Sequence, residues 1–432
     1  MGIHHRGAIM AATSSLIALA SLNLFLSDVR DGLGPFLGVF LQQQQWGPGE
    51  IGLVMTLGGL AGMVATVPMG ALVDATRAKR AIIVAGSSVI ILASMAILAA
   101  PNFGVVALAQ GVNGIAAAAL APAVAGLTLG LVGPGGFDRQ LGRNEAFNHA
   151  GNILAAVLAG VLGWWLGLPA VFALMAAMAV GSVLSVLAIR PGDIDHEVAR
   201  GLAARDLAVA ADGEGGSAEG WRRLLADRRL LVLALTLALF HLGNGAMLPL
   251  FGQAMVARGA GDPSALTALT VVVAQATMIP MALLAARLAQ TSGYRPVLLI
   301  ALAALPLRGL IAAASTQWDI GLGLYPVQVL DGVGAGLLGV ATPGIVARIL
   351  HGTGRFNVGL GLVMTAQGIG AALSTTLAGF VAQYAGYGAA FLVLGGAALV
   401  AVATYLIGGA PGGEAVSERA DAPDLPSGKI AA

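Results

Sequence analysis

Gln110-Gly-Val-Asn-Gly-Ile-Ala-Ala-Ala-Ala-Leu-Ala-Pro122 and Asp331-Gly-Val-Gly-Ala-Gly-Leu-Leu-Gly-Val-Ala-Thr-Pro343 follow one pattern. Each opens on a polar residue followed by Gly-Val, runs on through small and apolar residues, and ends on a proline twelve positions later. Both lie inside apolar stretches long enough to cross a bilayer, whose hydrocarbon core of about 30 Å needs around 20 helical residues. Pro68-Met-Gly70 pairs in the same way with Pro280-Met-Ala282, and Asp28 and Asp31-Gly32 pair with His241 and Asn244-Gly245. A parallel duplication of this kind predicts two related helix bundles.

The whole chain agrees. Of its 432 residues, 57% are hydrophobic and 10% charged, where a soluble chain carries about a quarter charged. Apolar stretches fall at 10–41, 51–73, 81–100, 103–133, 144–166 and 170–189, then at 230–256, 265–287, 296–315, 320–349, 358–382 and 389–409. These are helices 1 to 12 of an all-α polytopic membrane protein with two pseudo-symmetric six-helix bundles. The expected organisation is an N-terminal half at 1–190, a polar linker at 191–229, a C-terminal half at 230–410 and a disordered tail at 411–432. The apolar run near the N-terminus lacks a small-residue cleavage site and reads as a retained first helix. With 63 glycines the helices can approach closely, as lipid-embedded helices do. A net charge of +1 argues against a nucleic-acid partner, and no cysteine is present for disulfides or thiolate metal sites.

The positive charges orient the helices. With a cytoplasmic N-terminus, 19 of the 22 Lys and Arg fall on the cytoplasmic side, Arg258 alone lies outside, and Arg30 and Arg308 are within the membrane. Arg outnumbers Lys by 20 to 2, a bias of GC-rich bacterial genomes. The expected location is therefore a bacterial inner membrane, with both termini cytoplasmic.

The loop after helix 2 reads Gly70-Ala-Leu-Val-Asp74-Ala-Thr-Arg77-Ala-Lys79-Arg80. With twelve helices and the internal repeat, it resembles the Gly-x-Leu-x-Asp-Arg-x-Gly-Arg-Arg loop of the major facilitator superfamily, over essentially the whole chain. Ala75 and Arg77 replace the usual Arg and Gly. The resemblance implies that Gly70, Asp74, Arg77, Lys79 and Arg80 form a cytoplasmic gate latching the two halves. It also implies that helices 1, 4, 7 and 10 line a central cavity, with helices 2, 5, 8 and 11 between the halves. Two features depart from the drug–proton antiporters of that family. Gln110 stands where they carry arginine, and Gly151-Asn-Ile-Leu-Ala-Ala-Val-Leu-Ala-Gly160 lacks their proline. Aromatic residues are only 5%, which argues against a broad aromatic drug pocket.

Charges inside a membrane are expensive and functional by default. On the cavity helices the candidates are Asp28, Arg30 and Asp31 (helix 1), Gln110 and Asn113 (helix 4), His241 and Asn244 (helix 7) and Asp331 (helix 10). Helix 5 adds Asn144, Asn148 and Asn152 along one face, with His149 beside them. At α-helical spacing Asp28 and Asp31 share a face and Arg30 points elsewhere. Arg308 and Asp331 sit about 12 and 18 Å below the outer surface at ~1.5 Å per residue, within an arginine's reach of each other. They form an expected structural pair. Three acids against two arginines leave one carboxylate to be protonated, to bind a cation or to meet a cationic substrate. Asp28 and Asp31 are thus the candidates for proton or cation coupling. The structural alternative is an ion-pair network that closes one side of the cavity. Gly32, Gly34 and Pro35, with Gly243, Gly245 and Pro249, are expected to soften helices 1 and 7 beside these residues.

These features point to a non-enzymatic, proton-coupled secondary transporter working by alternating access. It is expected to export a small molecule as a monomer in the lipid bilayer, without cofactor. Divalent metal efflux through Asp28, Asp31, His149 and His241 is one alternative. A non-transporting sensor or assembly factor on the same scaffold is the other.

Overall fold

The computed structural model describes residues 2–199, 226–350 and 356–409, with the side chains of 2–13, 31, 32, 74, 134, 135, 138 and 356–358 excepted. The expected tail and the middle of the linker fall outside these residues. Ten of the helical stretches are long and apolar enough to span a membrane. One of them, Gly359–Ile407, is broken at Gly386 into helices 11 and 12. Helix 1, interrupted at mid-length, completes the twelve.

The helix ends follow local chemistry. Asn102, Asp262 and Asp319 cap helices 4, 8 and 10 by accepting from backbone N–H groups of the first turn. Pro48, Pro169 and Pro263 occupy first-turn positions, where their missing N–H is no loss. Helices 4 and 5 run as Phe103–Leu166 with a break at Gly133, and helix 5 starts earlier than its apolar stretch suggests, at Arg139. Gly133 has φ 67° and Gly386 φ 86°, a left-handed region open to glycine, so each turns the chain between two antiparallel helices in one residue.

Helices 1 and 7 are not continuous. Helix 1 runs Gly2–Ser27, then a π turn over Asp28–Gly32, then Leu33–Gln43. Helix 7 runs Arg228–Asn244 and resumes at Met247–Ala257. A proline follows each interruption, and at helix 7 the Ala246 N–H also turns to Ser374 Oγ (2.9 Å), whereas Pro68, Pro280, Pro306, Pro326 and Pro343 lie inside unbroken helices. A proline ring clashes with the carbonyl four residues earlier and leaves it without its helical donor. For Pro35 that carbonyl belongs to Asp31, and for Pro249 to Gly245.

Two cores form, one within residues 18–199 (with Ala268 from the other half) and one within 230–405. The halves meet chiefly through three helix pairs, 2 with 11, 5 with 8, and the second segments of 1 and 7, with a smaller contact between helix 8 and the second segment of helix 1. Most of these contacts lie away from the termini. The end of helix 2 away from the termini meets helix 11 at Gly52, where a Cβ would collide with the Thr375 carbonyl, and Gly379 meets the Pro48 carbonyl. Gly38 abuts Gln253, Gly252 abuts Val39, and Gly160 and Gly163 of helix 5 abut Ala268 and Ser264 of helix 8. On the side bearing the termini, Val64 and Val67 of helix 2, Leu283 of helix 8 and Met364 of helix 11 are exposed. The bundle is closed on one side and open on the other.

The start of the linker is docked rather than free. Ser15 Oγ donates to Asp193 (2.6 Å), the Asp195 N–H donates to the Gly130 carbonyl (2.9 Å), and Ala199 packs on Gly130.

Gly386→Ala forces a side chain into the left-handed region, and the expected loss is about 1–2 kcal/mol. Gly396→Ala, in helix 12 with open space at its Cβ, is expected to be neutral or mildly stabilising. Thermal unfolding of the purified protein in detergent separates the two, and equal melting temperatures would refute the account of the turn.

Candidate functional site

Four groups of polar residues stand in the membrane-spanning region. The first is the π turn of helix 1. Asp28, 6% exposed, faces a cavity of about 250 Å³ whose walls come from both halves: Pro35, Phe36 and Asn152 on one side, Leu248, Val271 and Gln275 on the other. Arg30 is exposed and borders a different cavity. The side chain of Asp31 is outside the described residues. The expectation that Asp28 and Asp31 share a face rests on α-helical spacing, which the π turn replaces, so it does not carry over.

The second group lines a cavity of about 450 Å³ in the N-terminal half, bordered by helices 1, 2, 3, 4 and 6. Gln110, Asn113, Ser94, Thr66 and Arg30 are its polar side chains, and Gly58, Gly59 and Gly62 of helix 2 also border it. Asn113 Oδ1 and Ser94 Oγ are buried without a hydrogen-bond partner among the described residues. Gly58 and Gly62 also admit helix 4, because a Cβ on Gly114 would strike the Gly58 carbonyl.

The third group fills the C-terminal half. Arg308 is 1% exposed. One guanidinium nitrogen donates to Asp331 Oδ1 and Asn244 Oδ1, both at 2.7 Å, and the other donates to Gln328 Oε1 at 3.2 Å. Helices 7, 9 and 10 are thereby tied together at the break in helix 7. Asn244 and Asp331, expected as cavity residues, are thus partners of a buried cation. Gln328 is a partner the sequence reading passes over, although it lies three residues before Asp331 on the same helical face. His241 Nδ1 donates to its own helix's Leu237 carbonyl (2.8 Å), and its ring meets Phe240 edge to face.

The fourth group joins or abuts the halves. His149 Nδ1 reaches Gln275 Oε1 across the interface at 3.2 Å. Asn152 donates to Asn148 along helix 5 (3.3 Å), while Asn144 donates to Thr128 of helix 4 (2.9 Å) and is buried. Further out, Thr56 Oγ1 donates to the Ala372 carbonyl (2.6 Å) and accepts from Thr376 Oγ1 (2.7 Å), and Thr375 Oγ1 donates to the Gly52 carbonyl (3.1 Å). Gln42 donates to the Tyr387 hydroxyl (3.1 Å) and Gln383 accepts from the Gly49 N–H (3.0 Å). This threonine clasp is absent from the sequence reading, because hydroxyls distant in the chain show no spacing signal.

The loop expected as a gate is held inside its own half. Lys79, 2% exposed, donates to the Val73 and Thr76 carbonyls (3.0 and 3.2 Å) at the end of helix 2, in space that Gly126 leaves open. Arg80 donates to the Val186 and Leu187 carbonyls at the end of helix 6 (3.1 and 2.9 Å), and Arg77 pairs with Glu197 of the linker. Cations at helix C-termini are favoured by the unpaired carbonyls there. These partners all belong to the N-terminal half and the linker, as an arrangement open on that side requires. Gly70 has open space at its Cβ position, and the Asp74 side chain is outside the described residues.

Asp331→Leu leaves the Arg308 guanidinium buried without its counter-charge, and the expected cost is about 3–5 kcal/mol. Pairing it with Arg308→Met is expected to restore most of that loss. Heat stability in detergent measures both, and an Asp331→Leu protein as stable as wild type would free Asp331 from a structural role.

Comparison with known proteins gives these groups a family. The Major Facilitator Superfamily model matches residues 11–304 and 233–429. Two uncharacterized MFS-type transporters from strains of Mycobacterium tuberculosis are each 42% identical over 394 residues, covering 90% of this chain and 92% of the relative. The crystal structure of the nucleoside transporter NupG superposes with a TM-score of 0.69 over 92% of this chain and 98% of that one, at 14% identity. That of a NupG mutant gives 0.70 over 92% and 99%, also at 14%. The duplicated six-helix architecture, the broken helices 1 and 7 and these matches have one conclusion: the chain belongs to the major facilitator superfamily of membrane transporters.

Proposed function

We propose that the protein exports a small organic solute across a bacterial inner membrane in exchange for protons, by alternating access. The structure then represents its inward-facing state. The observation that carries this reading is the position of Asp28. Its carboxylate lies on an irregular turn, in a cavity built jointly by helices 1 and 5 of one half and helices 7 and 8 of the other. When the halves rock, those walls separate and the carboxylate changes its surroundings. A change of surroundings of this kind shifts the balance between the charged and neutral forms of an acid. Solute movement and proton movement are thereby linked.

Orientation follows from the basic residues, which gather on the open side with the linker. Metal efflux draws less support. Among the described residues no three His, Asp or Glu side chains gather, His241 is engaged by Leu237, and His149 by Gln275. A non-transporting role on this scaffold makes the intramembrane charges dispensable, and the same experiment tests it.

A growth screen of a deletion strain against organic acids, antibiotics and transition metals identifies the solute. In proteoliposomes under an imposed pH gradient, Asp28→Asn and Asp31→Asn are each expected to slow its transport at least about tenfold, equivalent to ~1.4 kcal/mol. Protein yield should not change. Wild-type transport by both variants would end the coupling reading, and calorimetric metal binding that His241→Ala abolishes would revive the metal one.

A further inference from the structure

The two halves are pseudo-equivalent but treat one place oppositely. In the C-terminal half, the space between helices 7, 9 and 10 is filled from within by Arg308 and its acceptors Asn244, Asp331 and Gln328. In the N-terminal half, helix 3 corresponds to helix 9 and carries Ser94 at about the depth of Arg308. Helix 4 carries Gln110 in register with Asp331. There the space is open, at about 450 Å³. In one half a buried guanidinium fills the space, while in the other Arg30 only borders a space that stays open.

We propose that the N-terminal cavity is a solute-binding site selective for an uncharged, planar hydrogen-bonding edge, such as a carboxamide or a heteroaromatic lactam. Gln110 and Asn113 each offer both an acceptor oxygen and donor hydrogens, the complement of such an edge. Asn113 Oδ1 and Ser94 Oγ are buried and unmatched among the described residues, and buried polar atoms of this kind are rarely left so. The carboxylate of the C-terminal half is replaced by the amide of Gln110, so this position has no acid to hold a cation. Arg30 borders the cavity but has interactions of its own. Helix 2 contributes Gly58, Gly59 and Gly62, whose missing side chains bring Gln110 and Gly114 of helix 4 and Ala372 of helix 11 close against it. Leu33, Leu37, Ile90 and Met175 complete an apolar lining around few polar groups, the usual make-up of a small-molecule site. A site built to hydrogen-bond its ligand discriminates strongly against analogues that lack the matching groups.

The inference deepens the transporter reading, but its binding arm does not depend on it. Purified full-length protein in detergent is titrated calorimetrically with uracil and nicotinamide, which are planar with a donor–acceptor edge. Benzoate, planar without a donor, and mannitol, polar but not planar, are the controls. Uracil or nicotinamide is expected to bind and the controls are not. Asn113→Leu and Gln110→Leu are each expected to weaken binding at least tenfold. Ser94→Arg, which supplies the N-terminal half with an internal guanidinium, is expected to abolish binding while the protein keeps its melting temperature. Should Ser94→Arg fail to fold, the two leucine variants decide alone. Absence of binding by both planar probes, equal binding of a control, or wild-type affinity in a folded Ser94→Arg protein would overturn the proposal. A probe that binds but is not carried in proteoliposomes would refute transport and leave the site standing. A carried solute indifferent to Ser94→Arg would do the reverse.

Discussion

Two prolines set the mechanical character of this molecule. In hydrocarbon every backbone carbonyl without a partner is expensive, so a membrane helix breaks only where protein or a water-filled cavity covers the break. Pro35 and Pro249 each remove one hydrogen bond, and each does so one turn beyond a polar residue of its helix. The freed carbonyls belong to Asp31 and Gly245; the helix 1 break borders the cavity between the halves, and the helix 7 break packs on helices 9 and 11 of its own half. Helices 1 and 7 are therefore two-segment rods whose outer segments pack on each other, while their inner segments belong to separate bundles. Any movement of one half against the other has its natural hinge at these points.

What closes the outer side is consistent with repeated opening. The contacts are glycine on backbone, at Gly52 and Gly379, glycine on a small side chain, at Gly160, and neutral hydroxyls and amides, at Thr56, Thr375, Thr376, Gln42 and Gln383. Such contacts depend on close approach and are lost together when the helices part. Each hydroxyl can turn to a carbonyl of its own helix afterwards, as Thr375 already does toward Ala372 at 3.0 Å. A buried ion pair in the same position would leave two unpaired charges on opening, at a penalty of several kcal/mol per ion. The one fully described intramembrane ion pair, Arg308 with Asp331, lies within a single half, where rocking does not stretch it.

The sequence displays the architecture more clearly than the site, for a physical reason. Hydropathy and the Gln110–Pro122 and Asp331–Pro343 repeat are properties of single segments, and the helices they predict stand in the structure. The pairing of Arg308 with Asp331 is legible because both have a depth that can be counted from a helix end. Asn244 is different: the break at Gly245 interrupts the helical phase, so its turn toward Arg308 cannot be counted in residues. The same holds for Asp28, since a π turn rotates side chains away from their α-helical faces. Lys79 reads as a surface cation in a polar loop, yet Gly126 of another helix gives it a buried seat. Gln275 opposite His149 and the threonine clasp depend on how the halves dock, which no segment encodes alone.

The contrast between the halves bears on how duplication yields a one-sided machine. Two identical bundles would offer two equivalent sites, and a solute would have no preferred seat. Here the C-terminal half carries Arg308 on helix 9 and Asp331 on helix 10, a compensated pair that stiffens the bundle at the hinge of helix 7. The N-terminal half carries Ser94 and Gln110 at the corresponding places, and it keeps the space. Arg30 and Asp28, from one π turn, then face two different cavities: one inside the half and one between the halves. A rotation of that single turn would be felt in both. If the proposed solute site and the proposed coupling through Asp28 hold, this one irregular turn is the physical link between them.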